Sequence, residues 1–157
     1  MIEKKYGLSQ ALPKIRNYCA YQERSHSEVK DKLYSFGLHK EDVEKTISQM
    51  IEENYLNEQR FAIQFAGGKF RLNKWGRVKI KYALKQKRVS DYCIRIALQQ
   101  IDENAYQSTL LDLLEKKEKT IKGERNKFTK RRKLQQYLVQ KGFETELIQE
   151  ELKKLIG

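Results

Sequence analysis

Between Lys69 and Arg88 the chain carries nine basic residues, Lys69, Arg71, Lys74, Arg77, Lys79, Lys81, Lys85, Lys87 and Arg88, and no acidic one. Phe70, Trp75 and Tyr82 are interleaved with them. Ammonium and guanidinium groups neutralise phosphates and release counterions, and aromatic rings stack on unpaired bases, so these residue types point to nucleic-acid contact. A merely solvated helix would alternate acids with bases at four-residue spacing, and this stretch has no acid to alternate. Trp75 stands among the candidate contacts, but a lone tryptophan at a turn is better explained as packing that plugs a helix junction.

A second stretch, Lys116–Lys133, holds ten basic and two acidic residues. Its densest part, Lys127, Lys130, Arg131, Arg132 and Lys133, falls at the start of a helix, where positive charge opposes the helix dipole. An arrangement that costs stability invites a functional explanation. Arg125 and Lys122 extend it around Gly123. The whole chain has a net charge of +12, and the two stretches together exceed it, so the rest is net acidic. Residues 1–60, with ten bases and ten acids, are neutral. The basicity is local, as a binding footprint should be.

Catalytic readings find little support. Gly67-Gly68-Lys69 lacks the upstream glycine and the following Ser or Thr of a phosphate loop, and no strand precedes it. The two glycines are expected to let helices approach closely or to kink one helix. His26 and His39 have no ligand-spaced partner, so neither a metal nor a cofactor is expected. Glu52/Glu53 and Glu150/Glu151 are adjacent in sequence, point to different sides of a helix, and read as solvated surface. Cys19 and Cys93, without C-x-x-C spacing, read as core residues of a chain in a reducing, cytoplasmic setting, and no apolar run suggests a membrane span. The expectation is a binding protein, not an enzyme.

The elements that must position these charges follow from an internal repeat. Val29, Leu33, Gly37, Leu38, Val43 and Ile47 recur as Ile80, Leu84, Arg88, Val89, Ile94 and Leu98, and again as Leu134, Leu138, Gly142, Phe143, Ile148 and Leu152. Each set reads as two amphipathic helices joined by a turn. Gly37 and Gly142 suit the left-handed residue that ends a helix, whereas Arg88 needs another cap or carries strain.

Ser25-His26-Ser27-Glu28 fits a capping box for a helix running to about Phe36, and Asn57, Ser90 and Thr145 can cap later helices. A preceding helix opens each copy, through Leu12, Ile15 and Cys19, then Phe61, Ala62, Phe65 and Ala66, then Tyr106, Leu110, Leu113, Leu114 and Ile121. Pro13 lies near a helix start, where it is tolerated. The expected fold is all-α: three tandem three-helix repeats at 11–55, 56–102 and 103–157 after an extension at 1–10, forming an elongated array able to curve. Thin cores suit a chain with only 39% hydrophobic residues.

The segment Tyr55-Leu56-Asn57-Glu58-Gln59-Arg60-Phe61-Ala62, followed by Phe65, Arg71, Gly76, Ile80 and Leu84, resembles the central motif of the RecX family of recombinase regulators. Arg24-Ser25-His26-Ser27-Glu28-Val29 resembles that family's opening of a helix, and the likeness runs from about Leu12 to Leu155. Asn57 and Glu58 stand where an aspartate is common, Lys87-Arg88 where a glycine-containing turn is common, and Trp75 precedes Gly76.

The resemblance implies a non-enzymatic protein that binds RecA filaments in their helical groove. Such proteins contact single- and double-stranded DNA and typically inhibit ATP hydrolysis, strand exchange and repressor co-cleavage. The resemblance further implies a monomer that acts in DNA repair, recombination and the SOS response. An alternative reading of Lys130–Phe143 and Thr145–Leu155 is a helix-turn-helix DNA-binding regulator, but Glu146, Glu150 and Glu151 on the second helix would repel phosphates.

Overall fold

In a computed structural model of the chain, residues 6–157 are described. Of the N-terminal extension, residues 1–5 lie outside the described residues. The first helix starts within the remainder, because the free amide of Gly7 is met by Gln10 Oε1 at 3.3 Å and the carbonyl of Gly7 accepts the first helical bonds.

Nine helices and no strand occur among the described residues: α1 Leu8–Tyr21, α2 His26–Ser35, α3 Lys40–Glu52, α4 Glu58–Asn73, α5 Arg77–Gln86, α6 Asp91–Gln99, α7 Glu103–Thr120, α8 Lys127–Lys141 and α9 Thr145–Ile156. They pack as two compact units, one formed by residues 6–65 with Leu84–Ala97, the other by Ala66–Ala83 with Leu98–Gly157. Helices α4, α5 and α6 contribute to both.

The first unit is built on α1, α2 and α3. Ala11, Ile15 and Cys19 of α1, Val29 and Leu33 of α2, and Val43 and Met50 of α3 are buried together with Leu38 and Leu56. Ser25 closes the start of α2 as its sequence suggests: its Oγ accepts from the Glu28 amide at 3.1 Å, and Glu28 Oε1 accepts from the Ser25 amide at 3.2 Å. Burial pushes the Cys19 thiol up from 9.0 to about 11, against the opposing pull of Arg24. The unfolded thiol ionises first, so this contribution is complete below pH 9 and is lost as pH rises toward 11. The stability difference between wild type and Cys19→Ala should therefore shrink over that range in denaturant titrations.

The second unit is built on α7, α8 and α9. Leu110, Leu113 and Leu114 of α7, Leu134 and Leu138 of α8, and Ile148 and Leu152 of α9 are all buried, and α8 packs against both α7 and α9. The repeated apolar frame is thus the core of both units, since Val29, Leu33, Val43, Ile80, Leu84, Leu134, Leu138, Ile148 and Leu152 are all fully enclosed.

Several local expectations change. Glu144, not Thr145, is the residue before α9, and it has no side-chain cap bond there because its carboxylate is engaged elsewhere. Pro13 lies inside α1, well past its first turn, where it removes a backbone donor at an exposed position. Glu151 is buried, its Oε1 accepting from Gln107 Nε2 at 2.8 Å with Lys154 Nζ at 3.4 Å, so it belongs to the packed face of α9. Asn57 and Ser90 do cap, accepting from the amides of Arg60 and Cys93 at 2.8 and 3.3 Å.

Arg88 takes the left-handed conformation that glycine holds elsewhere, with φ 60°, beside 87° at Gly37 and 97° at Gly142. Its turn is closed by the Val89 amide on the Leu84 carbonyl at 3.1 Å. A side chain in that region costs roughly 1–2 kcal/mol. Arg88→Gly should raise the unfolding free energy by about 1 kcal/mol, read as a higher denaturant midpoint.

Candidate nucleic-acid interface

The Lys69–Arg88 stretch is divided by the fold. Lys69, Arg71, Lys74, Trp75, Arg77, Lys79 and Lys81 belong to the second unit, and Lys85, Lys87 and Arg88 to the first.

In the second unit the charges gather around Trp75. The α4 helix ends at Asn73, and Lys74, at φ 60°, turns the chain so that the Trp75 amide reaches back to the Lys69 carbonyl at 3.2 Å. The indole is half-buried, with Lys69 Nζ 4.9 Å and Lys79 Nζ 4.6 Å from its ring centroid. Two cations over one ring are held by its π face, so Trp75 works as the anchor of a basic cluster. Lys74 Nζ turns back to the Arg71 carbonyl at 2.9 Å, while Lys81 is exposed. The glycine pair does not bring helices together. The Arg71 guanidinium lies where a Gly67 side chain would start, and Gly68 faces open space.

Arg77 has a different setting from its neighbours. Its guanidinium pairs with Glu103 and, at 2.7 Å, with Glu144, and lies 3.8 Å from the Tyr106 ring centroid. Tyr106 is fully buried between Phe70 and Phe143, accepts from the Arg77 amide at 2.9 Å and donates to Glu144. Burial, reinforced by Glu144, pushes its phenol far above the ordinary value, so it stays a donor at any working pH. This network ties α5, α7 and the start of α9 together.

The close helix approach falls at Gly76 and Gly142. The Gly76 amide donates to the Lys141 carbonyl at 2.7 Å, and the Val78 amide to the Gly142 carbonyl at 2.9 Å. The free amides that begin α5 are thus met by the free carbonyls that end α8, and the opposed dipole ends meet. A Cβ at Gly76 would overlap the Gly142 carbonyl and the Phe143 amide, and one at Gly142 would overlap Lys79 Cβ. The first unit makes a related step through side chains, with Ser27 Oγ donating to the Lys87 carbonyl at 2.8 Å and Lys87 Nζ 3.6 Å from Glu28. There Lys85 is exposed, 4.0 Å from Asp91, and Arg88 is exposed.

The cluster at the start of α8 lies at the other end of that helix from Gly142, about 20 Å along its axis at 1.5 Å per residue. Asn126 caps the helix, accepting from Thr129 at 3.1 Å. Lys127 and Arg132 are exposed, as is Arg125 before the helix, and Lys130 and Arg131 are half-buried. Lys133 pairs with Glu124 at 3.2 Å. The Asn126 amide and then Lys133 hold the Glu124 carboxyl below its ordinary value. The second unit therefore presents two cationic centres, one at Trp75 and one at α8's opening turns.

Sequence reasoning passed over Phe128, which is 75% exposed within this cluster. A signal was present: at 3.6 residues per turn Phe128 falls about 100° off the buried stripe of Leu134 and Leu138. Leu72 of α4 and Val78 and Tyr82 of α5 are further exposed apolar side chains, at 84, 55 and 66%.

Among the described residues no three His, Cys, Asp or Glu side chains converge as a metal site, and no helix is long and apolar enough to cross a membrane. What the fold and surface define is an all-helical protein with basic surfaces. Family models for the second and third three-helix domains of RecX match residues 57–98 and 104–152.

The regulatory protein RecX of Prosthecochloris aestuarii is 31% identical over 146 residues, covering 93% of each chain. That of Clostridium perfringens strain 13 is 34% identical over 122 residues, 77% of this chain and 57% of its own length. The chain spans about half, 52%, of the Bacillus mycoides relative. The crystal structure of RecX from Lactobacillus salivarius superposes with a TM-score of 0.86 at 25% identity, covering 94% of this chain and 96% of that one. The chain belongs to the RecX family.

Proposed function

We propose that this chain is a non-enzymatic regulator of RecA recombinase, binding RecA–DNA filaments in the helical groove and contacting DNA through its basic helices. Filament regulation would occur in the cytoplasm, lowering ATP turnover, strand exchange and co-protease activity during DNA repair, recombination and the SOS response. The family supports the regulatory role, since the relatives are named regulatory proteins. The observation that carries the DNA contact is the second unit's pair of cationic centres: Lys69, Trp75 and Lys79 at one, and Lys127, Lys130, Arg131 and Arg132 at the other. Phosphate neutralisation at two separated points gives reach along a polyanion, and contacts that are weak singly add through effective concentration. Three small helical repeats in one monomer suit that task.

The distribution of pairing refines which cations serve. Arg77 is held by Glu103 and Glu144, and Lys133 by Glu124, so these two contribute less than their neighbours to phosphate binding. The test is binding of the labelled chain to RecA assembled on single-stranded DNA, beside naked DNA, across a salt series. The expected result is tighter binding to the filament than to either component and a steep salt dependence on DNA. Tight binding to one duplex sequence with none to the filament would overturn the reading.

A further inference from the structure

The outward face of α8 carries a large ring that packing does not require. Phe128 stands 75% exposed, and Arg132 and Val139 follow it at spacings that keep them on the same solvent side of the helix. Arg131 and Arg132, three and four residues on, flank the ring along the helix, and Lys127 adjoins it. A single exposed aromatic is unremarkable on a neutral surface. Here it is the centre of a cationic patch with no acid in the helix's first turn.

The Trp75 centre differs in the one feature that matters for stacking, since its indole is half-buried and already faces two ammonium groups. The Thr129 amide at the opening of α8 is taken by Asn126, so the patch is made of side chains and not of the helix end.

We propose that this face of α8 is a single-strand-selective nucleic-acid contact, in which Phe128 stacks on one unpaired base while Lys127, Arg131 and Arg132 neutralise the flanking phosphates. It deepens the DNA contact under the regulatory reading and rests on it. The reason for selectivity is geometric. Bases in a duplex are already stacked on their neighbours, so a ring on a convex helix face reaches them only in an unpaired strand, whereas phosphates are available in both. Charge therefore sets affinity for either form, and Phe128 sets the difference between them.

The test is fluorescence anisotropy of full-length wild type, Phe128→Ala and Phe128→Trp with a labelled oligo-thymidine strand and a labelled blunt duplex, each across salt. Far-UV circular dichroism confirms helicity, which an exposed residue should leave intact. Stacking worth about 1–3 kcal/mol per base corresponds to roughly a 5- to 150-fold loss of single-strand affinity in Phe128→Ala. That loss should come with an unchanged salt slope and unchanged duplex affinity, and Phe128→Trp should restore binding. Equal losses on both forms, or no loss while wild type binds the single strand, would overturn this inference and leave the DNA contact standing. Loss of filament binding alone would make Phe128 a protein contact and overturn it too. Wild type that binds neither strand would remove the DNA contact itself.

Discussion

Gly76→Ala should lower the unfolding free energy by about 3 kcal/mol, while Gly68→Ala, eight residues earlier, should raise it by about 0.5–1 kcal/mol. The opposite signs come from what the added methyl meets. At Gly76 it would overlap the Gly142 carbonyl and the Phe143 amide, which are backbone atoms fixed by the bonds from Gly76 to Lys141 and from Val78 to Gly142. Making room means parting α5 from α8 and losing those two bonds, and it strains the Tyr106–Glu144–Arg77 network beside them. At Gly68, inside α4, nothing lies within 4 Å, so alanine only removes the entropic penalty of glycine in a helix. Denaturant midpoints of the two variants, measured side by side, check both signs at once. A Gly76→Ala variant as stable as wild type would contradict the backbone contact.

Replacing Lys127, Lys130, Arg131 and Arg132 together by glutamine should weaken DNA binding steeply while making the protein more stable. Each lost phosphate contact removes about 0.7–0.9 from the slope of log affinity against log salt, so four remove roughly 3. Near 0.1 M salt that is an affinity loss on the order of a hundredfold to a thousandfold. Two of these cations, Lys127 and Lys130, lie in the first turn of α8, which holds no acid, so removing them relieves an unfavourable interaction with the helix dipole of roughly 0.3–1 kcal/mol each. Binding and stability should thus move in opposite directions, which simple unfolding cannot mimic. Salt-resolved anisotropy and thermal melting on one preparation read both. An unchanged slope would mean these charges are solvated and nothing more.

Most of the fold was legible because the apolar frame repeats at fixed spacing, and burial follows it from Val29 and Leu33 to Ile148 and Leu152. Local polar chemistry was legible too where it is short-range, as at Ser25 with Glu28 and at Asn57 with Arg60. What was not legible depends on contacts distant in sequence. Thr145 looked like a cap, but Glu144 precedes the helix because its carboxylate answers Tyr106 and Arg77. Glu151 looked like surface, and only Gln107, on another helix, explains its burial. The glycine pair at 67 and 68 drew attention, whereas the close approach belongs to Gly76 and Gly142, which the sequence separates by a whole repeat.

The candidate site was legible as charge and not as geometry. Composition marked both basic stretches, and the structure sorts their members by partner: Arg77 is drawn into a buried network, Lys69 and Lys79 gather on Trp75, and the α8 cations stand around Phe128. Charge counting treats every arginine alike. A carboxylate from another helix does not.

The measurement that bears most directly on the central claim is ATP hydrolysis by RecA assembled on single-stranded DNA, followed as this chain is added. The account predicts a dose-dependent fall in turnover, with the glutamine variant of α8 needing markedly more protein for the same effect. Turnover that stays constant at saturating chain, with the filament intact, would contradict it.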